Sequence, residues 1–162
     1  MKIISTLFLF LLLFPLAADS AQVGRPAPAF SLKDMKGNIV TLESFKGKVV
    51  FLDFWAPWCI PCKEEMPAME ALYKKLGNQG FEIIGIAVDA SEKAILQFLR
   101  KTPLSYAILL DDKGTASDAY RCSNLPTTFI IGKDGIIRHI HKGFGIEFLP
   151  LYEKEVMELL KQ

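Results

Sequence analysis

An excess of charge of either sign is missing from this chain: 19 Lys and Arg stand against 18 Asp and Glu, for a net charge of +1. A nucleic-acid binder needs a basic surface to neutralise phosphates, so that class is excluded and no nucleic-acid partner is expected. Cysteine is scarce, at three residues in 162, too few for a scaffold stapled by several disulfides. Histidine is scarcer, at two. Internal repeats and low-complexity tracts are absent beyond the first residues. No apolar run reaches the ~20 residues that cross a bilayer comfortably. What is present is a normal globular composition, with 23% charged residues and 12 Phe, which rules out a disordered chain. The length suits one domain with its own core, expected to act as a monomer.

The apolar excess lies at the front. Ile3 to Ala18 is almost wholly hydrophobic, broken by Ser5, Thr6 and Pro15, and it follows Lys2. A single cation, an apolar stretch and small residues near Ala18-Asp19-Ser20-Ala21 read as a secretory signal peptide over residues 1–21. An uncleaved N-terminal membrane anchor is the rival reading. A buried helix is disfavoured, because the segment has no polar face. No Cys follows the run, which argues against a lipid-modified N-terminus. Either reading puts the working domain, residues 22–162, on the periplasmic or otherwise extracytoplasmic side.

Within that domain, short apolar pieces at 29–32 and 39–42 flank Lys36-Gly37-Asn38, the pattern of a β-hairpin. Val49 to Trp55 is a continuous apolar run interrupted by one Asp, as in a strand buried on both faces. Met66, Met69, Leu72, Tyr73 and Leu76 recur at helical spacing over 62–76, with Gly77 as the stop. A second buried strand is expected at 81–88 and a helix at 91–101 capped by Ser91. A strand follows at 105–110 and a short helix at 115–120. Strands at 127–131 and 136–141 flank Gly132-Lys133-Asp134-Gly135, a hairpin signal. An amphipathic helix over 146–160 closes the chain. Strand and helix alternate, so the class is α/β.

The chemistry concentrates in Trp55-Ala-Pro-Trp-Cys-Ile-Pro-Cys62. Two cysteines three apart at a strand-to-helix junction put Cys59 at a helix N-terminus. There, free N–H groups and the helix dipole favour a thiolate. Cys62 lies one turn in, within reach of Cys59, and Pro61 presets that turn. The pattern suits thiol–disulfide exchange: Cys59 attacks, a mixed disulfide forms, and Cys62 resolves it. A zinc site is disfavoured, since about four ligands are needed and only Cys122, His139 and His141 remain. A permanently closed structural disulfide leaves the flanking residues unexplained. Asp53, mid-strand and costly to desolvate, should have a raised pKa. It shares a side with Trp55 and reads either as a partnered structural Asp or as the proton acceptor for Cys62. Glu65 shares a helix face with Cys62, while Lys63 and Glu64 read as solvated; spacing alone leaves Glu65 closer to a solvated residue than to a functional one. Pro126, directly before a β-rich run, requires a strand start or a special turn. Cys122 reads as a small core hydrophobe. His139 and His141 read as neighbours on an exposed face of an edge strand.

The stretch at 55–62, with Asp53 before it and Leu125-Pro-Thr-Thr-Phe129 after it, resembles the thioredoxin fold. More narrowly, the chain resembles the TlpA/ResA-like family of extracytoplasmic thiol–disulfide oxidoreductases, from about Val23 to the C-terminus. The resemblance implies a thioredoxin-like fold with an N-terminal β-hairpin extension and a central helix–strand insertion at about 91–110. It implies Cys59 as nucleophile, Cys62 as resolving cysteine, and Pro126 in cis against the pair. Leu125, Pro126 and Trp58 would meet the substrate. Glu65 matches an active-site glutamate of ResA-like proteins and Asp53 the buried aspartate of thioredoxins, so the titration would be shared. A disulfide-containing protein substrate and a membrane electron donor are implied as partners. No cofactor beyond the cysteine pair, and no metal, is called for.

Two other classes compete. A thiol peroxidase of the peroxiredoxin type requires Pro and Thr or Ser seven and three residues before the reactive Cys, where Leu52 and Ala56 stand. A Cu(I) chaperone using Cys59 and Cys62 lacks nearby Met or His support.

Overall fold

The computed structural model describes residues 21–162; the leader expectation at 1–21 falls, apart from Ala21, outside the described residues. The chain's most apolar internal run forms β3 (Val49–Trp55), all seven residues of which are buried. Beside it lies the equally apolar β4 (Phe81–Val88). A strand with neighbours on both edges and layers on both faces has no side for polar residues. Asp53 is therefore the exception in β3.

Around this pair the described strands form one seven-stranded sheet. β1 (Ser31–Asp34) and β2 (Ile39–Thr41) make the hairpin, and β5 (Ala107–Asp111) lies between β1 and β4. On the other side of β3 come β6 (Thr127–Ile131) and then β7 (Ile137–Lys142). The order is β2-β1-β5-β4-β3-β6-β7. The three central strands β5, β4 and β3 run parallel, and the outer pairings are antiparallel. The N-terminal hairpin thus docks onto the strand contributed by the central insertion.

Among the described residues four α-helices cover the sheet: α1 (Ile60–Leu76), α2 (Glu92–Lys101), α3 (Thr115–Ala119) and α4 (Leu149–Leu160). Buried residues of α1, α2 and α4 pack with Val49, Phe51, Trp55 and Ile83 on one face. The opposite face gathers Leu52, Phe54, Ile84, Ile86 and Phe129 under α3, Phe30 and Leu32. Each such Phe or Leu contributes roughly 1.5–3 kcal/mol on burial. Ser91 caps α2 as expected, its hydroxyl accepting the Ala94 N–H at 3.2 Å.

Element boundaries depart from the expectations where side chains intervene. The first strand begins at Ser31 rather than residue 29, and Asp34 closes its turn by accepting the Lys36 and Asn38 N–H groups at 2.8 Å each. β5 begins two residues late because the carboxylate of Glu70 takes both the N–H and the hydroxyl of Ser105, at 2.8 and 2.7 Å. Gly85 is required by a close approach, since a Cβ there would lie 2.7 Å from Ile108 Cδ1 and 3.1 Å from Trp55 Nε1.

Candidate active site

β3 ends at Trp55, and the loop that follows delivers Cys59 as the N-cap of α1. Its backbone is extended, and the Cys62 N–H donates to Cys59 Sγ at 3.2 Å. The first turn holds no acidic residue to oppose a thiolate. Helix N-termini favour negative charge through just such unpaired N–H groups. Cys59 and Cys62 are joined in a disulfide, with Cα atoms 5.4 Å apart. Cys62 is completely buried, whereas Cys59 keeps a small opening to solvent. An incoming sulfur therefore meets Cys59 first.

Apolar side chains frame that opening. Trp58 is 59% exposed and Ile60 also stands clear of the core. The Trp58 indole N–H donates to the Asp89 carbonyl at 3.1 Å, tying the loop to the turn between β4 and α2. Asp89 adopts φ 46, in the left-handed region. A groove of about 610 Å³ runs from Trp58 along α2 past Phe98 to Lys101. On the β6 side, the Leu125–Pro126 peptide is cis, as the resemblance implied. Phe54 pairs with Thr127, so this bond lies alongside the end of β3. Leu125 packs against the core group that includes Cys59 and Cys62.

Beneath the cysteines the structure brings Asp53 and Glu65 together. Asp53 is 2% exposed and its Oδ1 has no hydrogen-bond partner. Glu65, one turn after Cys62, is wholly buried; its Oε1 accepts from the Thr128 hydroxyl at 3.4 Å and its Oε2 has no partner. Burial pushes both carboxyls well above the ordinary carboxylate range, and the charge of Asp53 raises Glu65 further. This corrects the spacing-based expectation for Glu65: the helix turns it inward, while Lys63 and Glu64 remain exposed as expected. Carboxyls raised in this way can take up and release a proton near neutral pH, which solvated carboxylates do not.

Two members of the site escaped the sequence reading. Thr128 pairs with Asp53 across the β3–β6 ladder and contacts Glu65. Tyr152 of α4 is fully buried with its hydroxyl unpartnered, and burial together with the Glu65 and Asp53 charges raises its pKa. Alternation along β6 was the available signal for Thr128. For Tyr152 there was none, because nothing local says where the last helix docks.

His139 and His141 are half-buried rather than a fully exposed strand face, because α4 lies beside them and Glu155 meets His139 Nδ1 at 3.1 Å and His141 Nε2 at 2.7 Å. Cys122 packs on the opposite face of the sheet, where burial pushes its thiol up to about 12. Among the described residues no group of three or more His, Cys, Asp or Glu is arranged to hold a metal ion.

A disulfide-forming pair capping the helix after a central parallel strand, beside a cis-proline, defines a thioredoxin-fold thiol–disulfide oxidoreductase. Residues 23–140 match the AhpC/TSA family model. The thiol–disulfide oxidoreductase ResA of Bacillus thuringiensis subsp. konkukian is 38% identical over 139 residues, 85% of this chain and 80% of that protein. ResA of Bacillus subtilis is 39% identical over 77% of this chain and 70% of its own length. A structure described as a thiol:disulfide interchange protein DsbE from Chlorobium tepidum superposes with a TM-score of 0.83 at 32% identity, covering 87% of this chain and 99% of that one. The chain belongs to the AhpC/TSA family and, within it, to the ResA-like thiol–disulfide oxidoreductases.

Proposed function

We propose that this chain works outside the cytoplasm as a reductant of protein disulfides, recharged by a membrane electron donor of the thiol–disulfide relay type. The observation that carries the reading is the Cys59–Cys62 disulfide capping α1 one helical turn from a buried, unsatisfied carboxyl pair. In the reduced protein the Cys59 thiolate attacks one sulfur of a substrate disulfide and expels the other as a thiolate. Cys62 then gives its proton to the Asp53–Glu65 pair, attacks the Cys59 sulfur and releases the second substrate thiolate. Two electrons leave the cysteine pair, and the disulfide is regenerated. Trp58, Leu125 and Pro126 form the apolar surface against which the substrate segment lies, and the chemistry uses no metal or other cofactor.

The apolar leader supports a location outside the cytoplasm, either exported or anchored. Among the described residues no helix is long and apolar enough to cross a membrane. In an oxidising compartment a pair that must stay reduced needs an electron supply, which supports the membrane donor.

The reading is tested with insulin as the disulfide substrate. Cys59→Ser should abolish its reduction, and Cys62→Ser should accumulate a mixed disulfide visible by mass spectrometry. Equal activity in both variants overturns the assignment of roles. A reduction potential of about −250 mV fits a reductant, whereas one of about −120 mV reverses the direction.

A further inference from the structure

One rung of the sheet is polar from the centre to the edge. Asp53 of β3 pairs with Thr128 of β6, and Thr128 pairs with His141 of β7. Residues opposite one another on neighbouring strands share a face, with Cβ atoms about 4.5–5.5 Å apart. All three therefore point toward α1 and α4. α1 adds Glu65, which accepts from the Thr128 hydroxyl. α4 adds Tyr152, whose ring centroid lies 4.9 Å from that of His141, and Glu155, three residues on. One oxygen of Glu155 contacts His141 Nε2 at 2.7 Å and the other His139 Nδ1 at 3.1 Å. The His139 side chain is 34% exposed, so the line of polar groups that starts beneath Cys62 ends in solvent at the sheet edge.

Most of that interior is apolar, with Tyr106 and the Trp55 indole N–H as further polar groups on the face. Phe51, Met66, Met69, Ile130 and Val156 belong to the buried cluster on this face and offer neither donor nor acceptor. Between oxidation of the cysteine pair and its re-reduction, a carboxyl that has taken the Cys62 proton exchanges it with solvent only through groups able to carry it. The polar rung supplies groups able to carry it, and imidazole is the side chain suited to passing protons near neutral pH.

We propose that Thr128, His141 and Glu155 form the proton exit of the active site, with His141 receiving the proton that leaves the Asp53–Glu65 pair. This rests on the reading of those carboxyls as acceptors of the Cys62 proton. The carboxylic O–H breaks as the Thr128 hydroxyl takes its proton and passes its own to His141. The imidazole accepts at one ring nitrogen and releases from the other to Glu155 Oε2, and the carboxyl group then turns to give up that same proton to His139 and water. One proton enters, one leaves, and no electrons move. The groups facing His141 are Thr128 from β6, Tyr152 and Glu155 from α4, and His139 on its own strand. Glu65 and Asp53 lie beyond Thr128. Lys142 acts on the opposite face, where its charge reaches Cys122.

The experiment is a single-turnover oxidation of the full chain by a disulfide peptide, followed by stopped-flow across pH with and without added imidazole. His141→Gln should slow mixed-disulfide resolution by about tenfold or more near neutral pH, with added imidazole restoring the rate. Its reduction potential should stay unchanged. Glu155→Gln, which keeps the shape of the α4 contact, should slow the same step and shift its pH profile. Unchanged rates in both variants overturn the exit, as does a slowing that imidazole does not relieve. Asp53→Asn and Glu65→Gln separate the two levels. If both carboxyl variants resolve at the normal rate, the underlying reading falls and the exit with it. If they slow the step while His141→Gln leaves it untouched, only the exit falls.

Discussion

Both faces of the sheet bury aromatic and aliphatic side chains but treat polar groups in opposite ways. On the α3 face, Asp111 is 2% exposed and its carboxylate accepts from the Ala116 and Ser117 N–H groups and the Thr115 hydroxyl. The buried Tyr120 hydroxyl there donates to the Pro28 carbonyl at 2.8 Å. On the α1–α4 face, Asp53 is just as buried, yet an oxygen of Asp53, one of Glu65, the Trp55 indole N–H and the Tyr152 hydroxyl all lack partners. A buried polar group without a hydrogen bond costs about 1–3 kcal/mol. One face is therefore arranged for stability, and the other carries a standing destabilisation beside the cysteines. Strain of this kind is retained where a proton or charge must change hands.

The contrast can be broken first at its aromatic support. Phe129 packs against Phe54 and Tyr120 on the quiet face. Phe129→Ala should cost roughly 3–5 kcal/mol in urea unfolding, yet leave the reduction potential of the cysteine pair in place. A potential that moves with it would mean that the faces are not independent.

The paired aspartates give the next largest effect, with opposite signs. Asp111→Ala should destabilise by about 1–3 kcal/mol, because it orphans the first N–H groups of α3. Asp53→Asn should instead stabilise by roughly 1–3 kcal/mol at neutral pH. Below the ordinary carboxylate value of 3.8, folded and unfolded chains both hold the proton, so the variant gains nothing. As pH rises, the unfolded chain releases its proton first and the native protein loses stability. The advantage of the Asp53→Asn variant therefore grows until the folded carboxyl also ionises. A urea series from pH 4 to 8 reads this slope directly; a flat difference would remove the buried, protonated carboxyl from the picture.

Cys122 gives the smallest effect. Cys122→Ala should change stability by less than about 1.5 kcal/mol. With its thiol pushed up to about 12, native Cys122 should react slowly with a thiol reagent at neutral pH and promptly in denaturant. Fast labelling in the native state would show a reactive third cysteine on the quiet face.

Much of this was legible locally. The buried strands at Val49–Trp55 and Phe81–Val88, the cap at Ser91 and the turn at Gly132–Gly135 follow from periodicity and turn chemistry within short windows. The departures have a common cause. β5 starts late because Glu70, 35 positions away, captures Ser105. Glu65 sits inside because α1 lies over Asp53, and the two histidines are half-buried because α4 docks on β7 with Glu155 toward them. Each outcome depends on a partner distant in sequence, and no local pattern encodes it.

By itself, then, the sequence determined the redox pair, the strand-to-helix junction that places Cys59 at a helix N-terminus, and the α/β alternation that builds the sheet around it. All of these arise from residues a few positions apart. Only the tertiary structure decided which polar groups share the interior beneath Cys62. The rung from Asp53 through Thr128 to His141 is written in strand register, and its closure by Glu65, Tyr152 and Glu155 in helix docking. Both are long-range choices, made when the chain buries its apolar faces together and must take along whatever polar atoms lie on them.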